Sequence, residues 1–496
     1  MIIQKRACGF AILLVLALIA PAVAAPSDAN FKKGIEYYKS GNNAAAIAEL
    51  EKTVQADPKN APALSWLGYL LLKEQRAADA VTYLQSASEL SPKDPEVWNN
   101  LGTAYYTIGE NGKAVEAYTQ VVKLRPSSPD SIYNLANAQL KLNNLAEAEK
   151  QFRNAAALKP KDVNILNNLG LTLQRQNKLD EAIATFKTAI DIEPDNATLL
   201  LNLGTALKSS GDKAGAVQSF EHLVKLNKNL YYAHIALGEL ISSDETKTDS
   251  AIEHYRQAAK LQPGEFAPNY NLGVLLAKQG KHKAAIEAYN AALQVKPTDI
   301  ETITNIGWSL YKTGRTADAI KQLKVAIDQD PSFLTARKRL AMVYTYEKDA
   351  TSNETLKQSY VDSGIAEWRE IVKLDEEDIA ARVNLANFYL DAKDAENAQE
   401  QYQKAIELDA DNSPAQLGLG LSMVELNKID DAIAQFRSLV KSNPKLPAAY
   451  NNLGVALEKK GLAEEAKAQY KKALELDPGY SDAKFNLDRL ANVPKR

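Results

Sequence analysis

The chain has 496 residues, 45% apolar and 24% charged, enough for several domains or one long array and too apolar for bulk disorder. Lys plus Arg number 59 against 62 acidic residues, a formal net charge of −3, so there is no basic excess to hold nucleic acid.

At the N-terminus Lys5 and Arg6 precede the apolar run Ala7 to Ala20, then come Pro21 and the small-x-small site Ala22-Val23-Ala24. This pattern predicts a secretory signal peptide over 1–24, cut after Ala24. An uncleaved membrane anchor is the alternative, since Ala7 to Ala25 is 19 residues. Cys8, the only cysteine, lies within this segment. The mature chain would carry no thiol, hence no disulfide and no thiolate metal site.

From residue 27 onward one pattern recurs, clearest in 95–128. Asp94 suits a helix cap, Pro95 the first helical position, and Glu96 the positive end of the dipole. Trp98, Leu101, Gly102 and Tyr105 fall at i, i+3, i+4 and i+7, one stripe of a helix. Gly109 can end that helix in the left-handed conformation. A second helix follows with Ala114, Tyr118 and Val121 inward, and Pro126 stops it. The hairpin recurs as thirteen units, at 27–60, 61–94, 95–128, 129–162, 163–196, 197–230, 231–265, 266–299, 300–333, 334–378, 379–412, 413–446 and 447–480. Such units cannot bury their stripes alone, so neighbours must stack into a solenoid. Residues 481–496 supply a capping helix and tail, with Ala483, Leu487 and Leu490 inward and Lys484, Asp488 and Arg489 facing water.

Trp98, Leu101, Gly102, Tyr105, Ala114, Tyr118 and Pro126 match the pattern W-x2-L-G-x2-Y…A-x3-F…P, with Tyr for Phe. The chain therefore resembles the tetratricopeptide repeat (TPR) family over most of its length. That resemblance implies an all-α fold, an α-solenoid wound as a right-handed superhelix of about thirteen hairpins. It also implies a concave groove, lined by the first helices, that takes extended peptides or a partner's helix.

Two units break the rhythm. The seventh has one extra residue in the polar turn Ser242 to Lys247. The tenth has eleven, near Lys348 to Gln358, where Asn353 could cap a longer second helix running through Tyr360, Ile365, Trp368 and Ile371. This insertion is either a protrusion for a partner or a tolerated loop.

No catalytic constellation appears, and no enzyme, cofactor or metal is expected. The histidines, His222, His234, His254 and His282, lack metal-ligand spacing, and His234 sits on a core-facing stripe. Gly418-Leu419-Gly420 lacks the third glycine and the preceding strand of a phosphate loop.

What remains is surface. Opposite each core stripe lie the second, fifth, ninth, twelfth and thirteenth places of the first helix. The bordering sixth place reads Asn100, Asn134, Asn168, Asn202, Asn271, Asn305, Asn384 and Asn452, interrupted at Ala236, Arg339 and Gly418. A row of amides can bond a peptide main chain of any sequence, or can serve the neighbouring helix instead. The row resembles the asparagine ladder in the TPR arrays of protein O-glycosyltransferases. Early units offer mainly polar groups, among them Asn99, Thr103, Asn137 and Asn167, with Tyr106 and Tyr133. Later units offer Tyr270, Val274, Trp308, Tyr311, Met342, Tyr346, Val383, Leu417, Leu421 and Val424. These apolar side chains either form a partner site or are buried between adjacent first helices.

The expectation is a non-catalytic protein-interaction scaffold, periplasmic or secreted, that binds a protein or peptide ligand in its groove. By family habit it would serve the assembly or export of an envelope complex. A polysaccharide-binding accessory subunit of an exopolysaccharide export system is the alternative. A membrane enters only through the signal segment, if that segment is uncleaved.

Overall fold

The computed structural model describes residues 29–491; the expected signal peptide (1–24) and the last five residues of the tail lie outside that range. The described residues form 27 α-helices and one short 3-10 helix, with no strand among them. They divide into two compact units, one ending at His254 and the other beginning at Tyr255.

The first unit contains α1 (Ala29–Lys39), α2 (Asn43–Ala56), α3 (Ala61–Lys73), α4 (Ala77–Leu90), α5 (Pro95–Thr107), α6 (Asn111–Leu124) and α7 (Pro129–Lys141). It continues with α8 (Leu145–Leu158), α9 (Val163–Arg175), α10 (Leu179–Ile192), α11 (Ala197–Ser210), α12 (Lys213–Leu226) and α13 (Tyr231–Ile241). The 3-10 turn Glu245–Lys247 leads into α14 (Thr248–Leu261), within which the division falls.

The second unit continues with α15 (Phe266–Lys278), α16 (His282–Val295), α17 (Ile300–Lys312), α18 (Thr316–Gln329), α19 (Leu334–Ala350) and α20 (Glu354–Leu374). After these come α21 (Ile379–Asp391), α22 (Ala395–Leu408), α23 (Ser413–Glu425), α24 (Ile429–Ser442), α25 (Pro447–Lys459), α26 (Ala463–Leu476) and α27 (Ser481–Ala491). Each unit is an α-solenoid: α5 packs on α6 and α6 on α7 in the first, α15 on α16 and α16 on α17 in the second, and so along each stack.

Local chemistry sets the hairpins. The Asp94 side chain accepts from the Glu96 N–H, with Pro95 next, so α5 starts where a cap and a proline agree. At the fifteenth place of eleven repeats the backbone is left-handed. Glycine stands there at Gly41, Gly109, Gly211, Gly280, Gly314 and Gly461, and a side chain at Gln75, Asn143, Asn177, Lys393 and Asn427. The two units without this residue are the seventh, where the 3-10 turn intervenes, and the tenth.

Inside each hairpin a small residue of the first helix faces a large one of the second. A Cβ added at Gly170 would meet the Phe186 ring at 2.5 Å, closer than packed atoms approach. Phe152, Phe186, Tyr402, Phe436 and Tyr470 are all fully buried at this register.

In the tenth unit α19 has 17 residues and α20 has 21, against 13 and 14 in α17 and α18. The eleven extra residues are thus helix on both sides of a short turn, one added turn on α19 and two on α20. Asn353 caps α20, accepting from the Leu356 N–H at 3.0 Å. Trp368 and Ile371 are buried, and Tyr360 and Ile365 pack beside them. Lys348 is buried and pairs with Asp349 at 2.6 Å and with Asp391 of α21 at 2.8 Å, which fastens the longer hairpin to its neighbour.

At the C-terminal end Ala483 is buried and Leu487 and Leu490 pack on the core, while Lys484, Asp488 and Arg489 are exposed. His234 is buried, and its Nε2 lies 3.0 Å from the Lys228 carbonyl oxygen. That oxygen accepts only, so Nε2 carries a proton, and in the neutral ring Nδ1 must accept. His254 Nδ1, 3.0 Å away, is then the donor of the pair. Burial, then the His234 neighbour, holds His254 below the usual imidazole range.

Candidate functional site

The first helices turn one stripe into the core and another away from it, and the second stripe differs between the two units. In the first unit it is laced by amides. Asn202 Nδ2 donates to Asn167 Oδ1 at 2.8 Å, and Asn167 donates to Asn168 Oδ1 at 3.2 Å. Asn168 in turn donates to Asn137 Oδ1 at 2.9 Å and to the Tyr133 hydroxyl at 3.0 Å. Asn134 repeats the link, donating to Asn99 at 3.3 Å. The sixth place of one repeat thus reaches back to the fifth of the repeat before, 35 residues earlier. A bond between neighbouring repeats is stability held at their interface.

This departs from an open ladder of free amides. Asn100 and Asn168 are buried, because neighbouring first helices close over them. Asn100 Nδ2 has no partner, and neither does Ser65 Oγ at the fifth place of the preceding repeat; the lacing is unmade at that one step. Beside it Trp66 and Tyr69 are buried, with Tyr38 at ring distances of 5.1 and 5.9 Å. The sequence reading passed over this cluster, although Trp66 holds the sixth place and Tyr69 the ninth. Burial, then Tyr133, pushes the Tyr106 phenol up to about 12, so it stays neutral near pH 7.

In the second unit the corresponding face is aromatic. Trp308 and Tyr311 of α17 lie 5.6 Å apart, and Tyr311 stacks on Tyr346 of α19 at 6.1 Å with ring planes 10° apart. Trp308 and Tyr311 are half-buried against the core, whereas Tyr346 is 44% exposed. Tyr270 of α15 stacks on Phe266 at 5.3 Å and donates its hydroxyl to Glu301 at 3.0 Å. Burial and then that carboxylate push its phenol up to about 12. Val274 and Leu421 are exposed and Met342 is half-buried. Val383 and Leu417 are also half-buried, each resting on core residues. Val424 is buried, so it is a core residue and not part of this face.

The asparagine row continues here in altered form. Asn271 and Asn384 are half-buried. Asn305 accepts from Arg339 Nη1 at 2.8 Å, and the same nitrogen reaches the Thr304 carbonyl at 3.1 Å. Arg339 occupies the sixth place, so it links repeats as the asparagines do but brings a charge. Burial holds its guanidinium below its ordinary range. Asn452 accepts from Asn451 at 3.2 Å, and Asn486 donates to Asn451 at 3.1 Å, the same lacing as in the first unit. Gly418 interrupts the row for a steric reason, because the Tyr402 ring would lie 2.2 Å from a Cβ there.

Among the described residues no three His, Cys, Asp or Glu side chains gather as a metal site would require. No helix among them is long and apolar enough to cross a membrane.

Repeated helical hairpins that stack within each unit and expose one face of their first helices define an α-solenoid. Tetratricopeptide repeat models match residues 37–102 and 173–237; 99–163, 133–197, 244–300 and 417–481; 379–412; and 301–332. The chain belongs to the tetratricopeptide repeat family and is, at that level, a protein-interaction scaffold. Among solved structures it is similar to the MamA protein, with 26% identity, 34% of this chain and 92% of that one covered, and a TM-score of 0.33. It is also similar to YrrB, a TPR protein with an unusual peptide-binding site, with 23% identity, 38% and 97% covered, and a TM-score of 0.35. A tetratricopeptide repeat protein from Parabacteroides merdae is 17% identical, with 50% and 97% covered and a TM-score of 0.37. No curated protein matches the chain.

Proposed function

We propose that this chain is a non-catalytic scaffold, exported to the periplasm or the cell exterior, that holds a partner protein or peptide in a concave groove lined by the faces of its first helices that turn away from the core. Its place would be in the assembly or export of an envelope complex. The observation that carries the reading is the strip of Trp308, Tyr311 and Tyr346, large rings that stay partly open, Tyr346 at 44% exposure, on two helices whose other sides are already in the core. Amphipathic rings of this kind most often dominate interface energetics. The residues over 1–24 support export.

Capture of partners from the native envelope by crosslinking to the full chain, repeated with Trp308→Ala, tests the reading. The variant is expected to lose about 1–3 kcal/mol of partner affinity with helicity unchanged. A loss of helicity instead would assign the ring to the core and remove the basis of the proposal. The stacked Tyr311 and Tyr346 rings also suit a sugar face. Glycan binding by the pure chain, abolished in Trp308→Ala, would replace the peptide by a polysaccharide.

A further inference from the structure

The charges around the aromatic strip are unevenly placed. Lys312 Nζ lies 4.8 Å from the Trp308 ring centre and 5.8 Å from that of Tyr311, and the Arg339 guanidinium lies 6.0 Å from Trp308. Among the described residues neither cation has a carboxylate within salt-bridge distance, and the hydrogen bonds of Arg339 go to the neutral oxygens of Thr304 and Asn305. Glu301 is near enough to favour the charged guanidinium but does not touch it, and a half-buried guanidinium with no anion in direct contact gains from one brought to it. Carboxylates are present, but at the two ends of the strip. Glu301 accepts from Tyr270 at one end, and Glu347 acts on Tyr311 at the other. An acidic ligand group is therefore favoured over Trp308 and opposed at either end.

Geometry also limits the length of what binds. The strip crosses three first helices, α15, α17 and α19. Packed helices lie about 8–10 Å apart, so two spacings come to roughly 20 Å. At about 3.3 Å per residue, an extended chain covers that distance with about six residues.

We infer that the strip formed by Tyr270, Trp308, Tyr311 and Tyr346 takes a short extended segment of a partner protein in which one acidic residue, facing Lys312 and Arg339, is flanked by apolar residues. This rests on the scaffold reading above and names the chemistry of the partner. The cations already lie over Trp308, so a ligand meets their positive side together with the remaining ring edges. A uniformly acidic tail would be repelled by Glu301 and Glu347, and a basic segment by the centre.

The test uses the full chain and three blocked hexapeptides of leucine and phenylalanine with a central glutamate, glutamine or lysine, titrated by fluorescence anisotropy. The glutamate peptide is expected to bind at least tenfold more tightly than the lysine peptide, with the glutamine peptide between them. Arg339→Gln should abolish the preference for glutamate over glutamine. Lys312→Gln, a change at an exposed side chain that leaves the packing intact, should reduce it severalfold. Trp308→Ala should weaken all three peptides. Equal binding of the glutamate and lysine peptides, or a preference untouched in both cation variants, overturns the inference. So does binding of none of the three, whereas the capture experiment decides the scaffold reading independently.

Discussion

The first unit and the second are built from the same hairpin but use its outer face in different ways. Along α7, α9 and α11 that face is drawn together by amides, with Asn134, Asn168 and Asn202 each reaching back to the preceding repeat. Along α15, α17 and α19 it carries rings; Tyr270 reaches Glu301, and Arg339 reaches back to Asn305 with a charge that no carboxylate among the described residues contacts. The difference teaches that one register position can hold the stack together or be left open to a partner, depending on the side chain placed there. Amides satisfy one another across a seam, whereas large rings and unpaired cations leave affinity unused.

Inserting the common residue where the second unit lacks it would break this comparison most visibly. Gly418→Asn restores the asparagine of the sixth place but puts a Cβ 2.2 Å from the Tyr402 ring. It should destabilise the second unit by about 1–3 kcal/mol, as overpacking does, read as a lower midpoint in urea. An unchanged midpoint would mean that the ring moves freely and that sterics do not explain the gap.

A somewhat smaller effect is expected in the first unit. Asn168→Ala leaves the Tyr133 hydroxyl and Asn137 without their shared donor and should cost about 1–2 kcal/mol of stability. Binding at Trp308 should not change. If Asn168→Ala instead weakens partner capture and spares stability, the amides form a ligand track and the contrast between units disappears.

The smallest change should appear equally in both units. Gln75 and Lys393 hold the left-handed backbone at φ 61° and 60° with a side chain attached. Replacing either with glycine should raise stability by about 0.5–1 kcal/mol, measured by thermal or chemical unfolding. A loss would show that these side chains hold contacts worth more than the relieved strain.

Much of this molecule was legible in its sequence, for physical reasons. The helix stripes, the caps at Asp94 and Asn353, and the facing of small on large residues are local or fixed by one spacing. The outer face was less legible because its state depends on the next repeat. Asn100 and Asn134 occupy the same register, yet one is buried with no partner for its donor and the other is bonded. Val424 follows the outer stripe in sequence but is covered in the fold. Gly364, at the alanine place of the second helix, is explained only by Phe388, whose ring would lie 2.0 Å from a Cβ there. The buried cluster of Tyr38, Trp66 and Tyr69 had a signal, large aromatics at outward places of adjacent first helices, that could have marked it as sealed.

The lengthened hairpin of α19 and α20 has its own consequence. An insertion that adds nearly whole helical turns to both arms preserves phase, so Val361 and Trp368 still point inward after the added length. Growth at this point can therefore proceed outward in steps of three or four residues without disturbing the repeats on either side. An insertion of one or two residues in a single arm would rotate everything beyond it and turn oily side chains towards water.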